Sequence, residues 1–127
     1  MLNNEDIKFH HPFCMTIAGP TQSGKTYFVY NLLKKQQSFI SPEPSKILYC
    51  YSIWQPLFNK MLVEISKIEF IKGLPTESEK LNNCLIVIDD LMTECIDNKE
   101  IVHLFTIGSH HRDISVIFMK KENMRVQ

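Results

Sequence analysis

The densest chemistry in the chain lies in eight residues, Gly19-Pro20-Thr21-Gln22-Ser23-Gly24-Lys25-Thr26. Their spacing is G-x-x-x-x-G-K-T, the phosphate-cradling pattern known as Walker A. Gly19 and Gly24 permit backbone conformations and close approaches that a side chain would block. The N–H groups of such a loop converge on phosphate oxygens, and the helix that follows adds its positive N-terminal end. Lys25 is expected to reach the β- and γ-phosphates, and Thr26 to offer its hydroxyl to Mg²⁺. ATP and Mg²⁺ are therefore the expected cofactors. The competing account is a chance glycine turn, but an apolar run precedes this loop and a helical pattern follows it, the context the motif requires.

A second candidate constellation is the pair Asp89-Asp90, which ends the apolar run Leu85-Ile86-Val87-Ile88. In a parallel sheet, ligands bind at the carboxyl ends of the strands. Asp89 suits the Walker B role of holding Mg²⁺ directly or through water. Asp90 is then placed to orient or polarise an attacking water. Asp is also common in strand-end turns, and the phosphate loop is what favours the functional account.

Gly108-Ser109-His110-His111-Arg112-Asp113 forms a third group. Adjacent His residues could bind metal, but no third ligand stands at suitable spacing. The turn could simply be solvated. Arg112 could instead be an arginine finger supplied to a neighbouring subunit's γ-phosphate, since guanidinium pairs with phosphate through a fork and keeps its charge. The chain has only two arginines, Arg112 and Arg125, which makes Arg112 the best internal candidate.

These groups need elements to position them. Pro12–Gly19 is a short apolar run and reads as a buried strand. From Gly24 onward a helix is expected, with Phe28, Val29, Leu32 and Leu33 on one face and Lys34 and Lys35 near its C-terminal end. The two prolines of Ser41–Ser45 mark a turn. Ile47–Ser52 reads as a second buried strand and Pro56–Ile65 as a helix opened by proline. Ile68–Ile71 reads as a short strand and Thr76–Asn83 as a polar loop. Cys84–Asp90 is the strongest strand, continuous and without polar alternation, so both of its faces should be covered. Lys99–Ile107 reads as a helix and Ile114–Met119 as the last strand. Strands alternating with helices imply βαβ units around a parallel sheet.

Composition sets the outer bounds. A chain of 127 residues, 44% hydrophobic and 22% charged, has the size and make-up of one globular domain. Fourteen cationic and fourteen anionic side chains cancel, so charge alone does not indicate a protein that coats nucleic acid. No apolar run reaches the ~18–20 residues that span a bilayer, and no membrane partner is expected. Residues 1–11 are polar and read as a flexible lead-in rather than a signal peptide, with residues 12–127 forming the core. Cys14, Cys50, Cys84 and Cys95 form no C-x-x-C pair and read as reduced core thiols in an intracellular compartment.

A phosphate loop, an acidic strand end and a further strand between them in the sheet suggest the RecA-like group of P-loop ATPases. More specifically, the sequence resembles the viral DNA-packaging branch of the FtsK/HerA-like ATPases, of polinton/maverick and large DNA virus type, with poxvirus-type enzymes more distant. Beyond the loop, the resemblance rests on Tyr51-Ser52-Ile53-Trp54-Gln55-Pro56-Leu57, Phe70-Ile71-Lys72-Gly73-Leu74-Pro75, Leu85–Met92, Leu104-Phe105-Thr106 and Gly108–Ile117, and it spans Pro12 to Met119. It implies an α/β P-loop NTPase core, a RecA-like three-layer sandwich with a mostly parallel central sheet. It also implies an ATP-driven motor whose subunits form a homo-oligomeric ring, hydrolyse ATP at their interfaces and pull double-stranded DNA into a capsid, with capsid or portal proteins as partners.

One departure stands out. In the family the last strand runs into a polar Thr-Gln-Asn sensor, whereas here Met119 is followed by Lys120-Lys121-Glu122-Asn123-Met124. On this comparison the core is C-terminally incomplete, and the chain reads as a truncated copy or a piece of a longer gene. That bears on turnover more than on binding. Two alternatives follow: a nucleotide-binding remnant without motor activity, and a small P-loop kinase or other NTPase.

Overall fold

The computed structural model describes residues 8–20, 24–76, 80–103 and 112–121. In chain order its strands are β1 (Phe9–His10), β2 (Cys14–Gly19), β3 (Ile40–Ser41), β4 (Lys46–Tyr51), β5 (Ile68–Lys72), β6 (Cys84–Asp89) and β7 (Ile114–Lys121). The helices are α1 (Lys25–Lys34), α2 (Gln36–Phe39), α3 (Pro56–Glu64), α4 (Met92–Ile96) and α5 (Lys99–His103). Five strands form one parallel sheet in the order β2-β7-β6-β4-β5. All four neighbouring pairs are parallel, including the two that are consecutive among the strands, β4 with β5 and β6 with β7, and parallel neighbours require crossover connections.

The sheet is covered on both faces. Val29, Leu33, Phe58 and Met61 from α1 and α3 pack with Tyr49, Leu85, Val87 and Ile117 in one core layer. Cys95 of α4, Ile101 of α5 and Leu91 pack with Leu48, Ile86, Ile88 and Val116 in the other. This makes the molecule a three-layer α/β sandwich. β6 is buried at all six positions, which accounts for its unbroken apolar sequence.

Helix α3 starts where its proline suggests: Pro56 occupies the first turn, and Gln55 before it is extended, the conformation that a following proline favours. The buried face of α1 comprises Val29, Tyr30, Leu32 and Leu33. Phe28, expected on that face, is 51% exposed. Tyr30 takes the inner position because its hydroxyl has a partner in α3, donating to the Glu64 carboxylate. Lys34 pairs with the same carboxylate at 3.2 Å, so α1 and α3 are clasped by polar groups at the rim of their shared core.

Other parts of the fold depart from the sequence expectation. Strand β2, expected to be buried, is paired on one side only and alternates between exposed and partly covered positions before Gly19. Its apolar residues serve one covered face, and a continuous run cannot distinguish that from full burial. Residues 9–11 were read as the end of a lead-in but are tied into the fold. β1 pairs in parallel with β3, and His11 is buried. The His11 ring contacts Ser115 Oγ at 2.5 Å through Nδ1 and Asn83 Oδ1 at 3.0 Å through Nε2. Ser115 Oγ also accepts the Phe13 N–H at 2.9 Å, which joins the amino ends of β2 and β7. Helix α4 has no counterpart in the sequence expectation, and β6 ends at Asp89, one residue short of the expected Asp90. The helix expected over Lys99–Ile107 is seen from Lys99 to His103, with residues 104–107 outside the described residues.

Cys50, Cys84 and Cys95 are buried free thiols, as expected, but Cys14 on the edge strand is exposed. Burial pushes the Cys50 thiol up to about 12 and the Cys84 and Cys95 thiols up to about 11. Because the thiolate is the reacting species, native protein treated with a thiol reagent at neutral pH should label rapidly at Cys14 alone. The other three should react only on unfolding, a difference that peptide mass mapping can read.

Candidate functional site

The carboxyl ends of β2, β6 and β7 meet at one edge of the sheet, and Lys25, Asp89 and Asp90 gather there. β2 ends at Gly19, and α1 begins at Lys25 with Gly24 as its cap. Gly24 has φ +92°, and a Cβ built on it would meet nothing within 4 Å. Glycine is therefore required here by backbone conformation rather than by space. Among the described residues no side chain caps α1, and its first turn carries no acid, a helix start that suits an outside anionic acceptor. Pro20 is described, but Thr21, Gln22 and Ser23 lie outside the described residues.

The Lys25 ammonium donates to the Gly19 carbonyl at 2.8 Å and to the Lys120 carbonyl at 2.9 Å. These bonds hold a mobile cation over the junction of β2 and β7, because Gly19 pairs with Lys121 there. β7 lies between β2 and β6. That intervening strand sets the spacing between Lys25 and the acidic strand end.

Asp89 is the last residue of β6 and is 8% exposed. Tyr49 of β4 donates its phenol to Asp89 Oδ2 at 2.8 Å. In the ladder Tyr49 faces Val87, so Asp89 is its diagonal neighbour on the same face, within reach of a long aromatic side chain. Burial raises the Asp89 carboxyl above its ordinary value, and the charge of Asp90 adds to the rise, while the Tyr49 bond and the Lys25 charge oppose it. Burial, followed by the Asp89 charge, drives the Tyr49 phenol far upward, so it stays a donor. Asp90 turns away in the left-handed region at φ 61°, a conformation that Asp tolerates. Its N–H is held by the Met119 carbonyl at 2.9 Å.

These groups line one cavity of about 570 Å³, within the range of small-molecule sites. One wall is Gly24, Lys25, Thr26 and Tyr27, and the facing wall is Ser52, Ile53, Gln55, Pro56 and Leu57. Asp89 and Asp90 line the same cavity. Trp54 supports the second wall from behind, with its ring 5.2 Å from Phe58, 5.2 Å from Phe70 and 5.4 Å from Tyr51. Trp54 remains 40% exposed, so it is neither a fully buried core aromatic nor free of the core.

The donor set can be tested for cation fit. Thr26 and Asp89 offer hard oxygen ligands on one cavity, as Mg²⁺ prefers. Among the described residues no group of three or more His, Cys, Asp or Glu forms. Mg²⁺ does not need such a cage, because it usually binds one or two carboxylates together with substrate phosphates. The residues fit.

Arg112 is not brought to this cavity. It precedes β7, where its carbonyl accepts the Asn83 N–H at 2.7 Å. The eight residues of β7 separate it from the cavity edge by about 23 Å at ~3.3 Å per residue. Arg112 therefore lies at the opposite end of β7 from this cavity. His110 and His111 lie outside the described residues. Sequence reasoning missed Tyr49 and the Ser52–Leu57 wall as site elements, although Trp54-Gln55-Pro56 was singled out on other grounds.

No family model, curated protein or solved structure matches this chain. No helix among the described residues is long and apolar enough to cross a membrane.

Proposed function

We propose that the chain is a P-loop NTPase domain of RecA-like type that binds ATP with Mg²⁺ and hydrolyses it. The observation that carries this reading is the single cavity lined by Gly24, Lys25, Thr26, Asp89 and Asp90 at the carboxyl edge of a parallel sheet, with β7 inserted between β2 and β6. The α1 N-terminus and the loop before it receive the phosphates, and Lys25 exchanges its two carbonyl partners for phosphate oxygens. Thr26 and Asp89 would hold Mg²⁺, which neutralises charge building on the phosphate oxygens. Asp90 orients or polarises the attacking water. The different settings of the two residues support this division of labour: Asp89 ends β6 and is buried, whereas Asp90 is exposed in a left-handed turn beyond the strand.

The sequence resemblance extends the proposal to a viral-type motor that packages double-stranded DNA as a homo-oligomeric ring. In such a ring Arg112, which lies away from its own chain's cavity, would serve the cavity of a neighbouring subunit. Phosphate release from Mg-ATP by the purified protein, with and without double-stranded DNA, tests the proposal. Turnover that rises with protein concentration is expected. Folded protein that binds Mg-ATP but releases no phosphate at any concentration would leave the non-hydrolysing remnant. Arg112→Ala should bind ATP like the native chain and lose turnover by ~10³-fold or more, the scale of an arginine finger. Unchanged turnover in that variant removes the finger assignment.

A further inference from the structure

Tyr49 stands out among the buried polar groups. Its side chain is fully buried, and its ring is fixed between Phe58 and Phe70 at centroid distances of 4.9 and 5.1 Å. A ring held this way cannot follow a wandering partner, so its hydroxyl is a fixed point. That hydroxyl donates to Asp89 Oδ2 at 2.8 Å, and its other neighbour is the weak acceptor Met119 Sδ at 3.6 Å. The Thr26 hydroxyl also interacts with the same phenol. One anchored phenol therefore holds the Asp89 carboxylate and lies near the Thr26 hydroxyl. A phenylalanine would fill the same space without contacting either.

We infer that Tyr49 is a positioning residue for the divalent cation: its anchored phenol holds the Asp89 carboxylate, with Thr26 beside it, in the arrangement that a nucleotide-bound Mg²⁺ requires. The inference rests on the nucleotide-binding reading and extends it to a residue on a different strand. Partners that orient a metal ligand act by fixing the ligand's direction, and losing one costs ~10–100-fold in metal affinity. A purely structural phenol would change stability and leave the cation dependence alone.

The test compares native protein with Tyr49→Phe, using a fluorescent ATP analogue titrated with Mg²⁺ and, separately, in excess chelator. The Mg²⁺ midpoint should rise by about 10-fold or more in the variant, with affinity in chelator unchanged. A folded variant with the native midpoint overturns the inference while leaving the nucleotide reading intact. Native protein that binds no nucleotide overturns both. If Tyr49→Phe does not fold, 3-fluorotyrosine in the otherwise native chain gives a second measurement. Its four tyrosine signals are assigned by replacing Tyr27, Tyr30 and Tyr51 with Phe in turn. The Tyr49 signal should move when Mg²⁺ is added to the nucleotide complex, and a stationary signal at saturating Mg²⁺ refutes the inference.

Discussion

Lys25→Ala should reduce ATP turnover by ~10²–10³-fold, the usual cost of removing one preorganised donor from a developing phosphate charge. Among the described residues Lys25 is held by two backbone carbonyls, of Gly19 and Lys120. Carbonyls are weaker partners for an ammonium than phosphate oxygens are, so the exchange on nucleotide arrival is downhill. Removing the ammonium leaves those two carbonyls at the cavity edge, where water can replace it. The fold should therefore lose no more than ~1 kcal/mol. Phosphate release and a thermal melt on the same preparation separate the two effects. Lys25→Arg is the informative companion, because it keeps the charge but spreads it over a planar fork. Turnover that Arg fails to restore would point to the compact ammonium rather than to charge alone.

The second large effect falls on stability. Phe58→Ala should cost ~3–5 kcal/mol, as large-to-small changes at buried aromatics do. Phe58 has no exposed surface, and four rings, Tyr49, Tyr51, Trp54 and Phe70, lie within 5.7 Å of its centroid. Against a total stability of ~5–15 kcal/mol for a domain, that loss is large and should lower the melting temperature by roughly 10–20 °C. Phe58 also braces Tyr49 and the 52–57 wall, so a surviving variant should bind nucleotide less well. Val63→Ala on the same helix is the control. Val63 is 86% exposed, and its loss should stay within ~0.5 kcal/mol.

The site was legible in the sequence wherever it depended on local chemistry. Gly24, Lys25 and Thr26 announce themselves by spacing, and Asp89 by ending an apolar run. The burial of β6 followed from its lack of alternation. Features set by pairing between distant segments were not legible. The sequence shows Tyr49 only as one apolar letter in Ile47–Ser52. Its bond to Asp89 exists because β4 lies beside β6 in one particular register. The half-exposed state of β2 likewise depends on which strands flank it, and a run of apolar residues does not carry that information. Phe28 and Tyr30 traded places because helical periodicity marks a broad face, and the Tyr30 hydroxyl found Glu64 on α3. His11 reads as part of a polar leader until Ser115, far along the chain, is placed beside it.

The position of Arg112 shows how topology limits function. β7 runs from the Arg112 end of the sheet to the cavity edge, so the length of one strand separates Arg112 from the cavity. Among the described residues, the cavity lining therefore has one cationic side chain, Lys25. In an assembled ring Arg112 would serve a neighbouring subunit's cavity, and its loss should then be more visible in turnover than in binding.

Isothermal titration of the native chain with ATP in the presence of Mg²⁺ tests the central claim most directly. The account predicts saturable binding of one nucleotide per chain that chelator weakens and that Lys25→Ala weakens. Folded protein that takes up no heat and no nucleotide at millimolar Mg-ATP would contradict it.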